Sequence, residues 1–169
     1  MNVIEGHLSA SGRRFGIVAS RFNELVVARL IEGAVDGLKR MGASEDDLVL
    51  VRTPGAWELP LALRDLGRSQ RFDALIALGA VIRGGTPHFE YVAGGLSSGI
   101  MKVSLEIDVP ITFGVLTCDT LEQALDRAGA KGGNKGFEAA AAAVEASDLR
   151  ARLAARSSAR TALEATVSR

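Results

Sequence analysis

The sequence predicts an α/β domain of three layers, a parallel sheet with helices on both faces. Three observations predict it. Segments with strand character alternate with segments of helical periodicity along the whole chain. The strand segments, such as Phe15 to Ala19 and Asp73 to Ile82, are apolar runs rather than alternating ones, the mark of strands covered on both faces. The 169 residues suit one domain, with 47% hydrophobic and 24% charged residues, the balance of an ordinary globule rather than a disordered chain.

Each element has its own signal. Phe15 to Ala19 is the first strand, and Asn23 stands where a helix N-cap would. Leu30, Ile31, Ala34, Val35, Leu38 and Met41 then recur at spacings of three and four, an amphipathic stripe closed by Gly42. Leu48 to Val51 reads as a second buried strand, ended by Pro54-Gly55. Glu58 to Leu66 reads as a helix with Pro60 in its first turn, where a missing N–H is tolerated. Asp73 to Ile82 is the third strand, and Thr86-Pro87 opens a helix to about Glu106. Ile111 to Leu116 is the fourth strand and Thr120 to Ala128 a short helix. After Gly132-Gly133, an Ala-rich helix runs from Lys135 to about Ala155. Val3-Ile4 is a candidate edge strand. Residues 1–156 thus form one domain, while 157–169 lack a clear stripe and read as a flexible C-terminal extension. The connectivity is doubly wound and flavodoxin-like, which places ligands outside the C-terminal strand ends.

Composition narrows the function. Twenty basic residues balance twenty acidic ones, without the basic excess that phosphate contacts demand of a nucleic-acid binder. One cysteine, Cys118, can form neither an intrachain disulfide nor a thiolate cluster, which points to a reducing compartment. Cys118 reads as a small buried apolar residue and His7 as a surface residue. No basic and apolar leader opens the sequence, and no apolar run approaches the ~20 residues of a membrane helix. The expected location is the cytoplasm, with no membrane and no metal.

The strand ends carry the chemistry. In Ile82-Arg83-Gly84-Gly85-Thr86-Pro87-His88, two glycines stand between a strand and a helix. Backbone N–H groups at a helix start suit a phosphate, Thr86 adds a hydroxyl, and His88 can transfer a proton near neutrality. An ordinary turn bearing an exposed histidine fits the same residues. No Gly-Lys-Ser/Thr follows, and no Gly-x-Gly-x-x-Gly follows a strand, which disfavours triphosphate and dinucleotide sites. Phe22 ends the first strand, where it can stack on a flat heterocycle or simply cover the sheet, and Asn23 can pair with amide-like edges or cap a helix. Gly55-Ala56-Trp57-Glu58 repeats the arrangement at the second strand, with a core or interface role open for Trp57. Arg127, Lys131 and Lys135 bracket a Gly-rich bend, fit either for a phosphate or for solvent.

Taken in order, these segments resemble the lumazine synthase family. The resemblance is carried by Ser20-Arg21-Phe22-Asn23, Gly55-Ala56-Trp57-Glu58-Leu59-Pro60, Gly79-Ala80-Val81-Ile82-Arg83-Gly84 and Thr86-Pro87-His88-Phe89. Gly114-Val115-Leu116-Thr117, Glu122-Gln123-Ala124 with Arg127-Ala128-Gly129, and Gly133-Asn134-Lys135-Gly136 complete it, from about Glu5 to Leu153. The family condenses 5-amino-6-(D-ribitylamino)uracil with 3,4-dihydroxy-2-butanone 4-phosphate, the penultimate step of riboflavin synthesis, releasing phosphate and water without a cofactor. The resemblance implies that Phe22 stacks on the pyrimidine. It implies that Ala56, Trp57 and Glu58 line the ribityl and ring site, and that Ala80, Val81 and Ile82 present backbone groups to the pyrimidine. It assigns Gly85, Thr86 and Arg127 to the phosphate and proton transfer to His88. Phe113, Lys135 and Arg127 are expected to reach the pocket from a neighbouring subunit.

The resemblance also implies a homopentamer, riboflavin synthase as a candidate partner, and an icosahedral shell of pentamers. The bend from Arg127 to Lys135 carries no evident insertion, which favours the shell. Two other readings use the same fold: a shell subunit without activity, and a flavin-carrying mononucleotide binder. Phe22, Glu58, His88 and Arg127 together argue against the first. Strand-end residues suited to two small substrates argue against the second.

Overall fold

The structure, a computed structural model, describes residues 1–167, and side chains through Arg156. Four strands, β1 (Phe15–Ser20), β2 (Leu48–Thr53), β3 (Ala74–Ile82) and β4 (Ile111–Cys118), form one sheet in the order β2-β1-β3-β4. All three pairings are parallel. The expected three-layer α/β architecture is therefore present. Between the strands run α1 (Glu24–Arg40), α2 (Leu59–Arg68) and α3 (His88–Glu106), and α4 (Leu121–Arg127) and α5 (Lys135–Val167) follow β4.

The two apolar faces of the inner strands each meet a helical layer. Ile17, Ile76 and Leu78 pack with Leu30, Ala34 and Leu38 of α1 and Ala140 and Val144 of α5. Val18, Leu75 and Val115 pack with Leu59 and Leu63 of α2 and Leu96 and Ile100 of α3. Alternate residues of one strand feed opposite cores, which is why β1 and β3 read as unbroken apolar runs. Gly42, at φ 100°, ends α1 in a conformation that costs glycine little.

Four local expectations are corrected. Leu48–Thr53 is an edge strand, so it is half-buried and Leu50 remains 46% exposed. Val3-Ile4 forms no strand. The N-terminal segment lies instead along α5, where the His7 N–H donates to Asp148 Oδ2 at 2.8 Å and Arg13 pairs with the same carboxylate. Arg152 also pairs with Asp148, and these partners hold that carboxyl well below the usual carboxylate range, Arg152 foremost. The helix after the Gly-rich turn begins at His88 with Pro87 as its cap, one residue later than Thr86-Pro87 suggested. The Ala-rich helix runs past the expected end near Ala155 to Val167. The expected flexible extension, 157–169, falls where side chains, and at 168–169 the backbone, lie outside the described residues. No helix among the described residues is long and apolar enough to cross a membrane.

Candidate functional site

The C-terminal ends of β1, β2 and β3 surround a cleft of about 570 Å³, within the range of small-molecule sites. Backbone hydrogen bonds assemble its first wall. The Arg21 N–H donates to the Thr53 carbonyl at 2.8 Å, and the Phe22 N–H to that of Pro54 at 3.2 Å. The Phe22 ring, 72% exposed, overhangs the opening. An isolated strand end has no reason to expose an aromatic, but a flat ligand gains a stacking partner there.

The second wall follows β2. The Gly55 N–H donates to Glu58 Oε2 at 2.9 Å, fixing one carboxylate oxygen inside the turn and leaving Oε1 for a ligand. Trp57 is 58% exposed and sits against α3 where Gly95 leaves room. A Cβ at Gly95 would stand 2.4 Å from Trp57 Cζ3.

The floor comes from β3 overshooting β1. Pairing with β1 stops at Ala19↔Leu78, while pairing with β4 continues to Ile82↔Cys118. In a parallel ladder successive residues address opposite neighbours. The Arg83 N–H goes to β4, bonding the Cys118 carbonyl, so the backbone edges of Ala80 and Ile82 face the cleft. Asn23 Nδ2 donates to the Ala80 carbonyl at 2.8 Å. Asn23 therefore makes no side-chain cap on α1, although it occupies the cap position. Its φ of 59° is one asparagine tolerates, and the amide bond holds it there.

The far end is the N-terminus of α3. Gly84, Thr86, His88 and Phe89 line the cleft, with Gly85 inside the same turn. A Cβ on Gly84 or Gly85 would meet nothing within 4 Å, so the turn is open to whatever approaches it. His88 is exposed at the first helical position, where free N–H donors and the dipole favour an anion. Arg83 brackets this turn. Its Nε lies 2.8 Å from Asp119 Oδ1, its Nη1 pairs with Glu90, and its guanidinium lies 4.2 Å from the Phe89 ring centre. Asp119 and Glu90 raise the Arg83 pKa further, and Arg83 holds the Glu90 carboxyl below its ordinary value.

Three expected residues lie elsewhere. Phe113, Arg127 and Lys135 line a separate cleft of about 200 Å³ over β4, with Thr117 and Cys118. Lys131 does not line it. Arg127 Nη1 donates to the Gln123 carbonyl at 3.1 Å, and Lys135 Nζ pairs with Glu138 at 2.5 Å. Asn134 anchors this region. Its Nδ2 donates to the carbonyls of Arg29 and Ala128 at 2.8 and 3.2 Å, and its Oδ1 accepts from the N–H groups of Gly136 and Phe137 at 2.8 and 3.2 Å. Cys118 is buried as expected, and burial pushes its thiol pKa up. One chain therefore gathers Phe22, Ala56, Trp57, Glu58, Ala80, Val81, Ile82, Thr86 and His88 but not Phe113, Arg127 and Lys135. Sequence reasoning missed the bridging role of Arg83, whose partners sit on other elements. It also missed Asn23 as a tie to β3, for which its offset from the apolar stripe was the only signal.

Residues 12–151 match the family model described as 6,7-dimethyl-8-ribityllumazine synthase. Three curated relatives with that same name are each 56% identical over 131 residues, 78% of this chain. They come from Aquifex aeolicus (strain VF5), Lawsonia intracellularis (strain PHE/MN1-00) and Anaeromyxobacter sp. (strain Fw109-5), and the match covers 85%, 83% and 80% of their lengths.

Proposed function

The chain belongs to the 6,7-dimethyl-8-ribityllumazine synthase family, and from that premise we propose how its strand-end residues run the reaction. The enzyme condenses 5-amino-6-(D-ribitylamino)uracil with 3,4-dihydroxy-2-butanone 4-phosphate in riboflavin biosynthesis. One observation carries the assignment of ends: the cleft has an aromatic and amide-like end at Phe22, Trp57 and Ala80 to Ile82, and an anion-favouring end at Thr86 and His88.

The pyrimidine stacks on Phe22, and its amide edges meet the backbone edge of Ala80 and Ile82, while Val81, whose backbone pairs with β4, lines the same wall. Ala56 and Trp57 border the ribityl chain, whose hydroxyls donate to Glu58. The phosphate rests at Gly85, Thr86 and the N-terminus of α3. The 5-amino group adds to the ketone and loses water to give an imine. Phosphate then leaves, the resulting enol tautomerises, and the ribityl-bearing amine closes the ring with loss of a second water. Each step moves a proton, and His88 stands beside the phosphate end to carry them. Much of the acceleration comes from holding two reactants together, worth up to roughly 7–11 kcal/mol in the best cases. Loss of His88 therefore slows the enzyme without abolishing turnover.

Among the described residues, no free lysine or arginine lines the phosphate end of one chain: Arg83 is paired twice, and Arg127 and Lys135 line the other cleft. In our reading the β4 cleft of a neighbouring subunit brings Phe113, Arg127 and Lys135 to complete the pocket. Such a head-to-tail contact closes into a ring, here a pentamer. The compact bend before Lys135 favours further assembly into an icosahedral shell, with riboflavin synthase as a candidate partner and the cytoplasm as the location. Mixing the purified protein with both substrates tests the reading through lumazine fluorescence. A yellow protein without turnover would mean a flavin carrier, and a colourless inert assembly a shell subunit.

A further inference from the structure

We propose that Arg83 is the positioning residue of the phosphate end, a clamp that sets the loop from Gly84 to His88. The inference rests on the reading above, in which that loop receives the phosphate-bearing substrate. The loop has few constraints of its own. Gly84 and Gly85 have open space where a side chain would stand, and the bond from the Glu90 N–H to the Pro87 carbonyl at 3.2 Å lies at the start of α3, beyond the glycines. Consecutive glycines leave such a segment many conformations. Its two ends, however, are joined through one side chain. Arg83 is tied by its backbone N–H to the Cys118 carbonyl at 2.9 Å and by Nε to Asp119 at 2.8 Å, both at the end of β4. Its Nη1 reaches Glu90 in the first turn of α3, and its plane lies over Phe89, part of the cleft wall. Asp119 is fixed in turn, since its N–H donates to Gln123 Oε1 at 3.0 Å.

A single exposed ion pair would hold little. Here one guanidinium meets two carboxylates and a ring at once, a geometry its rigid planar fork permits and a lysine ammonium does not. With both carboxylates engaged, Arg83 orients the loop rather than binding the phosphate itself.

The test compares Arg83→Lys, Arg83→Gln and Glu90→Gln with the wild-type protein, each first checked for an unchanged assembly and melting temperature. The phosphate-substrate KM should rise about tenfold, the scale of losing one charged hydrogen bond, with kcat lowered and the pyrimidine KM unchanged. Backbone amide exchange should quicken at positions 83 and 90, whose N–H groups are bonded at the two ends of the loop, and not at 79–82. Arg83→Gln should add little in a Glu90→Gln background. Equal changes in both KM values, full activity of Arg83→Lys, or unchanged exchange at positions 83 and 90 would each overturn the clamp. If the Arg83 variants fail to fold, Glu90→Gln alone decides it by the same readouts. If the wild-type protein makes no lumazine, the functional reading fails, and amide exchange still decides the clamp.

Discussion

Replacing Asn134 by alanine removes two functions at once, and their sizes follow from the geometry. Oδ1 caps α5 by accepting from Gly136 and Phe137, while Nδ2 ties the bend to the carbonyls of Arg29 and Ala128. Loss of a helix cap costs about 1 kcal/mol. Two carbonyls losing their donors add about 1–2 kcal/mol at ordinary net values for hydrogen bonds. Asn134→Ala should therefore destabilise by about 2–3 kcal/mol, within the usual range for a lost cap and a broken network. Asn134→Asp separates the parts. It keeps the acceptor, and its charge is favoured at a helix N-terminus by about 0.3–1 kcal/mol, but it donates nothing to the two carbonyls. It should lose about half as much as alanine. Urea denaturation at one fixed protein concentration measures both, because subunit association would shift the midpoint otherwise. Gly33 supports the closeness of the fit, since a Cβ there would stand 2.3 Å from the Asn134 amide. An alanine variant within about 0.5 kcal/mol of wild type, or an aspartate variant as unstable as alanine, would refute this account of the bend.

Gly95→Ala should push Trp57 from its place, because the added methyl falls 2.4 Å from the ring. Calorimetric titration should show weaker pyrimidine binding with phosphate binding little changed. Co-expressed His88→Ala and Arg127→Ala subunits test the shared pocket. Random mixing leaves about a quarter of the pockets intact in both halves, so activity should exceed the average of the pure mutants; activity equal to that average in mixed particles would place both residues in one subunit. Asp148 governs acid stability. Its folded pKa lies below the unfolded value of about 3.9, so its contribution is full above that pH and falls away as the pH drops through the folded value. Melting temperatures of Asp148→Asn should accordingly depend less on pH below about 4 than those of the wild type.

Order and type of the elements were legible because they rest on short-range periodicity: the three-and-four spacing of α1, the apolar runs of β1 and β3, and proline near the start of α2. Which residues gather at the first cleft was legible too, since a parallel sheet brings its C-terminal strand ends together whatever the remaining packing. Tertiary structure alone decided the rest. Whether Leu48–Thr53 was central or an edge depended on which strands paired with it, not on its own residues. Val3-Ile4 has strand character, yet the Asp148 carboxylate of α5, bonded by the His7 N–H and paired with Arg13, draws the N-terminal segment onto that helix. Asn23 bonds a carbonyl 57 residues away, Arg83 a carboxylate 36 away, and Asn134 a carbonyl 105 away. Such bonds leave no trace in local spacing, because a polar residue beside a strand looks the same whether it meets water, a cap or a distant backbone. For the same reason the sequence could name Arg127 and His88 together, while only the folded chain sets them in two separate clefts.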